Sequence, residues 1–362
     1  MLWDTFQRLG NSYYNIWINP DDLFNTGDDK QKCQRFIEKH FEAGEKIAAF
    51  NTPFRNQYYR NGKHIHTVFL YLMGLSARQL FEESIKNSLS LYIDDLNDWY
   101  SDRAFMYSWF LTCLFHDAAS CIEDLEKTDE VVSVLEICKS FPTLKKEDNY
   151  PFYSKKTVFN YFEYKKIVFK EQDHGIIGGC YFYQNLKMNY DRIAKKHITT
   201  VSPYYEYPPG IIWRHSHIIH FAYVANAIIC HNLWTADSND SDKVALYHKF
   251  GLDELIINNR HGKDNRISRQ KNPLSFLLCL LDTIEPTKRF TLSPKTIAEN
   301  IEISVEKNDN IKLQWTETIK TQPEFWKWAN SIIGLSEWMQ VEVSSCSCTD
   351  GSGLCSLNIH FL

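Results

Sequence analysis

The chain has no run of about eighteen uninterrupted apolar residues, the length a membrane helix requires. Its most apolar stretch, FLLCLLDTIEP, is short and is broken by an acid. No membrane-spanning helix is therefore expected. The first residues, MLWDTFQRLGNSYYN, lack a basic region followed by a long apolar one, so no signal peptide is expected either. There is no excess of positive charge: the formal net charge of −5 argues against a general nucleic-acid coat, and a nucleic-acid partner is not expected. The sequence has no P-loop, no GxGxxG and no Gly-x-Ser-x-Gly, which removes the commonest nucleotide-binding and serine-hydrolase readings. It has no internal repeat.

What is present describes an ordinary globular protein. At 362 residues, 44% hydrophobic and 23% charged, the chain is long enough to bury a sizeable core in one large domain or two. Ten cysteines in a chain of this size without a leader read as reduced, mostly buried thiols, and the expected location is cytoplasmic. Residues 1–60 alternate polar turns with a helix expected around Lys30 to Phe50. From about 64 to 282 the apolar segments are helical in period, separated by polar or Pro-containing links. After about 290 the texture changes. IEISVEKNDNIKLQWTE reads as two strands joined at Asn308, Asp309 and Asn310, QPEFWKWANSIIGLSEWM as a helix, and QVEVSS and SLNIHFL as closing strands. The expectation is a mainly α protein: a helical domain over 1–290, with its core at about 60–290, and a small α/β extension over 291–362.

The chemistry lies in a series of His and Asp residues placed in or at the ends of apolar helical segments. His116 and Asp117 close WFLTCLFHDAAS; a carboxylate there is costly unless a cation compensates it, and imidazole beside carboxylate is a common metal-ligand pair. His66 in HIHTVFLYLMG, His174 in EQDHGIIGG, His231 in ANAIICHNLW and Asp282 in FLLCLLDTIEP recur at intervals of roughly fifty to sixty residues.

The ordered set His … His-Asp … His … His … Asp resembles the signature of the HD superfamily of metal-dependent phosphohydrolases. LFHDAASCIED, DHGIIGG and PLSFLLCLLDTIEP are similar to that family's segments, and the resemblance covers about residues 60 to 290. It departs where the family often has Gly-Tyr-Pro after His-Asp: this chain has Ala118, Ala119 and Ser120. The resemblance implies an HD-type helical bundle and two divalent metal ions (Mn, Fe, Mg, Ni or Zn). His66, His116, Asp117 and Asp282 would hold one, and Asp117, His174 and His231 the other, with Asp117 bridging. His64 competes with His66 for the first position, and register to Gly74 favours His66. Glu123 and Glu285 stand where the family patterns have Glu, as partners orienting a ligand histidine or as proton shuttles.

The resemblance further implies metal-activated hydroxide attack on a phosphate ester, the substrate being a nucleotide or related small phosphorylated molecule. Two alternatives keep the metal ligands: an HD-fold di-iron oxygenase, and a non-catalytic metal-containing binding or regulatory protein. The basic loop NNRHGKDNRISRQKNP places Arg260, Lys263 and Arg266 as candidate phosphate contacts. His215, His217 and His220 read as structural or pocket-edge residues, Asp173 as facing outward, and Lys165 and Lys166 as surface. Cys346, Cys348 and Cys355 lack zinc-ligand spacing and read as a reduced, partly exposed terminal segment.

Overall fold

The computed structural model describes residues 63–93, 98–127, 155–196, 212–232, 240–252, 266–306 and 309–344. It also describes shorter stretches at 131–133, 135–136, 139, 141–144, 204–206, 347–348 and 354–362. The helix expected around 30–50 lies outside these residues. Among them no helix is long and apolar enough to cross a membrane.

The body is helical. Helices α1 (Lys63–Ser76), α2 (Arg78–Ser90) and α3 (Asp98–Phe115) come first, and a short 3-10 turn at Ser120–Ile122 follows. Then come α4 (Lys155–Val168), α5 (His174–Lys196), a two-stranded ribbon of β1 (Tyr204–Glu206) and β2 (Ile212–Arg214), α6 (His215–Ile229), α7 (Ser241–Lys249) and α8 (Pro273–Ile284). The α8 sequence PLSFLLCLLDTI starts with Pro at its first position, where no backbone N–H is needed, and is apolar all round. Every residue from Pro273 to Leu281 is buried, so α8 is the central helix.

Two glycines bring the neighbouring helices α5 and α6 into close contact. A Cβ on Gly175 would stand 2.8 Å from the Ile228 carbonyl oxygen, and one on Gly179 would stand 2.7 Å from that of Ala225. At Gly74 a Cβ would fall inside the Trp109 indole, whose Nε1–H donates to the Tyr71 carbonyl at 3.0 Å. That contact fixes α1 against α3.

The C-terminal part contains α9 (Pro294–Asn300), β3 (Ile301–Glu306), β4 (Asn310–Thr316), α10 (Glu317–Lys320), α11 (Phe325–Ile333), α12 (Leu335–Trp338), β5 (Val341–Val343), β6 (Ser347–Cys348) and β7 (Leu354–Phe361). The strands form an antiparallel sheet in the order β3-β4-β7-β5, with β6 also pairing with β7. Asp309, at φ 52°, sits in the β3–β4 turn, where Asp tolerates the left-handed region. Alternation in β4 buries Ile311, Leu313 and Trp315.

This sheet and its helices pack onto the helical body. The Trp328 Nε1–H donates to the Ile284 carbonyl at the end of α8 (3.3 Å), and Phe361 lies 5.7 Å from Phe81 and 5.4 Å from Phe276, centroid to centroid. One hydrophobic core therefore runs across the boundary expected at 290. One expectation is corrected here. Cys355 is buried, because alternation along β7 turns it inward, and it is disulfide-bonded; it does not belong to a reduced, exposed segment.

Candidate metal centre

Helix ends build the site. His116 and Asp117 directly follow the C-terminus of α3, and His231 follows that of α6. His174 begins α5, His66 lies in the first turn of α1, and Asp282 lies in the last turn of α8. The six side chains, spread along the chain from His66 to Asp282, meet at one place. Their ligand-type atoms form two groups, His66 with His116 and Asp282, and Asp117 with His174 and His231; within each group the atoms lie within 4.8 Å of one another.

Each imidazole uses Nδ1 to hold itself and turns Nε2 inward. His116 Nδ1 faces the Cys113 carbonyl at 2.9 Å and His231 Nδ1 faces that of Ile228 at 2.6 Å. These carbonyls belong to helix C-termini, where they lack intrahelical partners. His66 Nδ1 meets Glu285 Oε2 at 2.6 Å and His174 Nδ1 meets Glu123 Oε1 at 2.8 Å. All four partners are acceptors, so every Nδ1 carries a proton and donates. In the neutral rings, every Nε2 then presents a lone pair to the centre.

Those lone pairs face one another. His66 Nε2 is 3.0 Å from His116 Nε2 and 3.0 Å from Asp282 Oδ1, and His116 Nε2 is 3.6 Å from that oxygen. In the other group His174 Nε2 is 3.1 Å from His231 Nε2 and 3.2 Å from Asp117 Oδ1. Asp117 Oδ2 turns the other way, 3.4 Å from His116 Nε2 and 3.6 Å from His66 Nε2. Acceptors packed this closely require a proton or a metal ion between them. Ligand bonds of about 2.0–2.2 Å at angles of about 90–110° put neighbouring donors roughly 2.8–3.6 Å apart, the spacings found here. The buried His/Asp groups can hold a metal ion.

The charges follow the same logic. Burial opposes a proton on His174, but the Glu123 and Asp117 carboxylates outweigh it and lift its pKa to about 9. Burial likewise opposes charge on His116, where Asp117 and Asp282 prevail and raise it. His231 goes the other way: burial, then His174 and His116, push it down to about 3. Burial also works against the Asp282 carboxylate, yet the Lys288 ammonium, with His116 and His66, holds it well below the usual range. Without a metal, protons on some imidazoles supply the missing cation.

The remaining expected site residues fall as follows. Glu123 and Glu285 accept from His174 and His66 on their outward nitrogens; Glu285 is sealed and also accepts the Thr287 N–H at 2.8 Å. Asp173 does not face outward. It is fully buried, accepts from the Ile176 N–H at 2.9 Å to cap α5, and accepts from Asn232 Nδ2 at 3.2 Å beside His231. Lys165 is not a surface lysine: its ammonium lies 3.4 Å from Asp173 and 3.9 Å from Glu123.

Arg266 donates to the Ser336 carbonyl at 3.0 Å, and the neighbouring Arg269 pairs with Asp309, so this end of the basic loop ties down the C-terminal part. Arg260 and Lys263 lie outside the described residues, as do the side chains of His64 and His215. His217 and His220 are buried apart from the ligand set, His220 Nε2 meeting Ser108 Oγ at 2.7 Å. Sequence reasoning missed Lys288, whose ammonium contacts Asp282 Oδ1 directly. A lysine six positions after a ligand carried no signal without the turn that folds it back. No protein-family model, curated protein or solved structure matches the chain.

Proposed function

We propose that the protein is an HD-type metal-dependent phosphohydrolase that binds two divalent cations and cleaves a phosphate ester of a nucleotide or related small phosphorylated molecule. The observation that carries this reading is the split of Asp117: Oδ1 faces His174, and Oδ2 faces His116 and His66. One carboxylate thus serves two groups of ligands, as a bridging ligand would. His66, His116 and Asp282 complete one group, and His174 and His231 the other. Each group offers few enough protein ligands to leave positions for water and substrate, the mark of a catalytic rather than a closed structural site.

When bound, divalent ions held by these residues would lower the pKa of a bound water and stabilise charge on the attacking and leaving oxygens of a phosphate ester. The chain's own residues supply the rest. Glu285 and Glu123 accept hydrogen bonds from the Nδ1–H groups of His66 and His174, fixing the tautomer and the ring orientation. The carbonyls of Cys113 and Ile228 do the same for His116 and His231. The apolar shell of α3, α6 and α8 keeps bulk water from the inner faces of the rings.

The test is elemental analysis of anaerobically purified protein together with a panel of nucleotides and phosphodiesters. Manganese-dependent phosphate release, lost in Asp117→Asn, supports the reading. Two irons with oxygen uptake and no phosphate release would establish the oxygenase alternative instead. Bound metal with neither activity would leave a binding or regulatory protein.

A further inference from the structure

After α8 the chain reverses sharply. Glu285 caps the helix in an extended conformation, and its carboxylate accepts the N–H groups of Thr287 (2.8 Å, Oε1) and Lys288 (3.4 Å, Oε2). The Arg289 N–H closes the turn on the Pro286 carbonyl at 2.9 Å. The same Glu285 Oε2 holds His66 Nδ1 at 2.6 Å. The carboxylate that orients a ligand histidine therefore also fixes the backbone of Lys288, and the turn carries the Lys288 ammonium back onto Asp282 Oδ1. That oxygen is the one facing His66 Nε2 at 3.0 Å.

This ammonium stands where solvent reaches the group. His66, His116 and Glu285 are sealed, whereas the side chains of Asp282 and Lys288 are 16% and 18% exposed. Two divalent ions would be balanced by Asp117, Asp282, Glu123 and Glu285, four positive charges against four negative, and the buried Asp173 balances Lys165. Lys288 then adds a surplus positive charge at the accessible edge. An ion taking Asp282 Oδ1 also weakens that oxygen's hold on the ammonium, leaving its N–H donors for an incoming anion. Lysine pairs strongly with phosphate oxygens as a point charge.

We propose that Lys288 binds a non-bridging phosphate oxygen of the substrate at the open edge of the site. The proposal rests on the phosphohydrolase reading. It transfers to Lys288 the role expected of Arg260, Lys263 and Arg266 in the basic loop; of these three the structure describes Arg266, which is engaged with the Ser336 carbonyl.

The test uses the full chain loaded with manganese, in wild-type, Lys288→Met and Lys288→Arg forms, titrated calorimetrically with inorganic phosphate. Manganese content is measured in parallel. Lys288→Met is expected to keep the wild-type manganese content and to bind phosphate at least ten-fold more weakly; Lys288→Arg, which keeps the charge, is expected to retain most of the affinity. Unchanged phosphate binding in Lys288→Met overturns the assignment while leaving the hydrolase reading intact. Loss of manganese in Lys288→Met also overturns it, by showing that the lysine serves to hold Asp282. A wild-type protein that binds manganese but no phosphate brings down the hydrolase reading and this proposal together.

Discussion

His174 and His231 point their Nε2 atoms at each other across 3.1 Å, although each is held from behind by an acceptor on Nδ1. Two neutral rings so arranged would set lone pair against lone pair. The pair persists because His174 begins α5 and His231 follows the end of the antiparallel α6, two helices that glycines bring into contact. The geometry is imposed by the fold and needs a cation to relieve it.

Asp117→Asn keeps the shape of the side chain and removes the charge shared by both groups. Metal content is expected to fall from two ions per chain to one or none, with helical content unchanged by circular dichroism. Activity should drop by more than the roughly 10–100-fold typical of losing an outer partner of a ligand. Full metal content in the folded variant would mean that Asp117 does not bridge.

Asp173→Asn probes a residue that touches no ligand atom directly but ties Asn232, beside His231, to the start of α5. Lys165 would lose one of its three carboxylate partners, at 3.4 Å, and keep Glu171 and Glu123. Expected are about 10–100-fold weaker binding of one ion, with the other unaffected, and a stability loss of about 1–3 kcal/mol. Manganese titration followed by paramagnetic resonance reads the two affinities separately. Equal weakening of both, or of neither, would remove Asp173 from this role.

Gly175 and Gly178 form a matched pair on α5. A Cβ at 175 meets His231 Nδ1 at 2.9 Å and the Ile228 carbonyl at 2.8 Å, whereas at 178 the nearest atom is 3.5 Å away. Gly175→Ala should cost about 1–3 kcal/mol by overpacking and should disturb metal binding through His231. Gly178→Ala should be neutral or stabilising by about 0.4–1 kcal/mol, since alanine restricts the unfolded chain. Denaturation midpoints of the two variants decide it; similar midpoints would show that α5 and α6 are not in tight contact.

His220 gives an acid limb to stability that is independent of the ligand set. Burial, with His217 nearby, pushes its pKa down to about 3, well below the unfolded value of about 6.5. The unfolded chain therefore takes up a proton below pH 6.5 that the folded chain refuses. The contribution is fully present above about 6.5 and is lost as pH falls toward 3, at up to about 1.4 kcal/mol per pH unit. His231, also pushed down to about 3, adds to the same limb. Between pH 6.5 and 5, before carboxylates titrate, His220→Asn should flatten the pH dependence of the urea midpoint by about one proton. An unchanged slope would place a charged histidine in the core.

The local pieces of this protein were legible in one dimension. Apolar runs at helical period gave the helical body, and the polar triplet at 308–310 gave the β3–β4 turn. Six His and Asp residues at the ends of apolar segments were recognisable as ligand types because charge is costly there. Residue type, periodicity and turn chemistry are local properties, and a sequence carries them directly.

What stayed hidden depends on which distant surfaces meet. The outward turn of each Nδ1, the burial of Asp173 and Lys165, the engagement of Arg266 with Ser336 and the return of Lys288 onto Asp282 all follow from helix packing. Glu285 and His66 are 219 positions apart, yet one carboxylate oxygen at 2.6 Å chooses the ring's tautomer. Sequence determined that residues able to hold a cation are present. The tertiary structure alone decided which atoms face it, because close packing of α1, α3, α5, α6 and α8 leaves each ring a single orientation that satisfies its buried N–H.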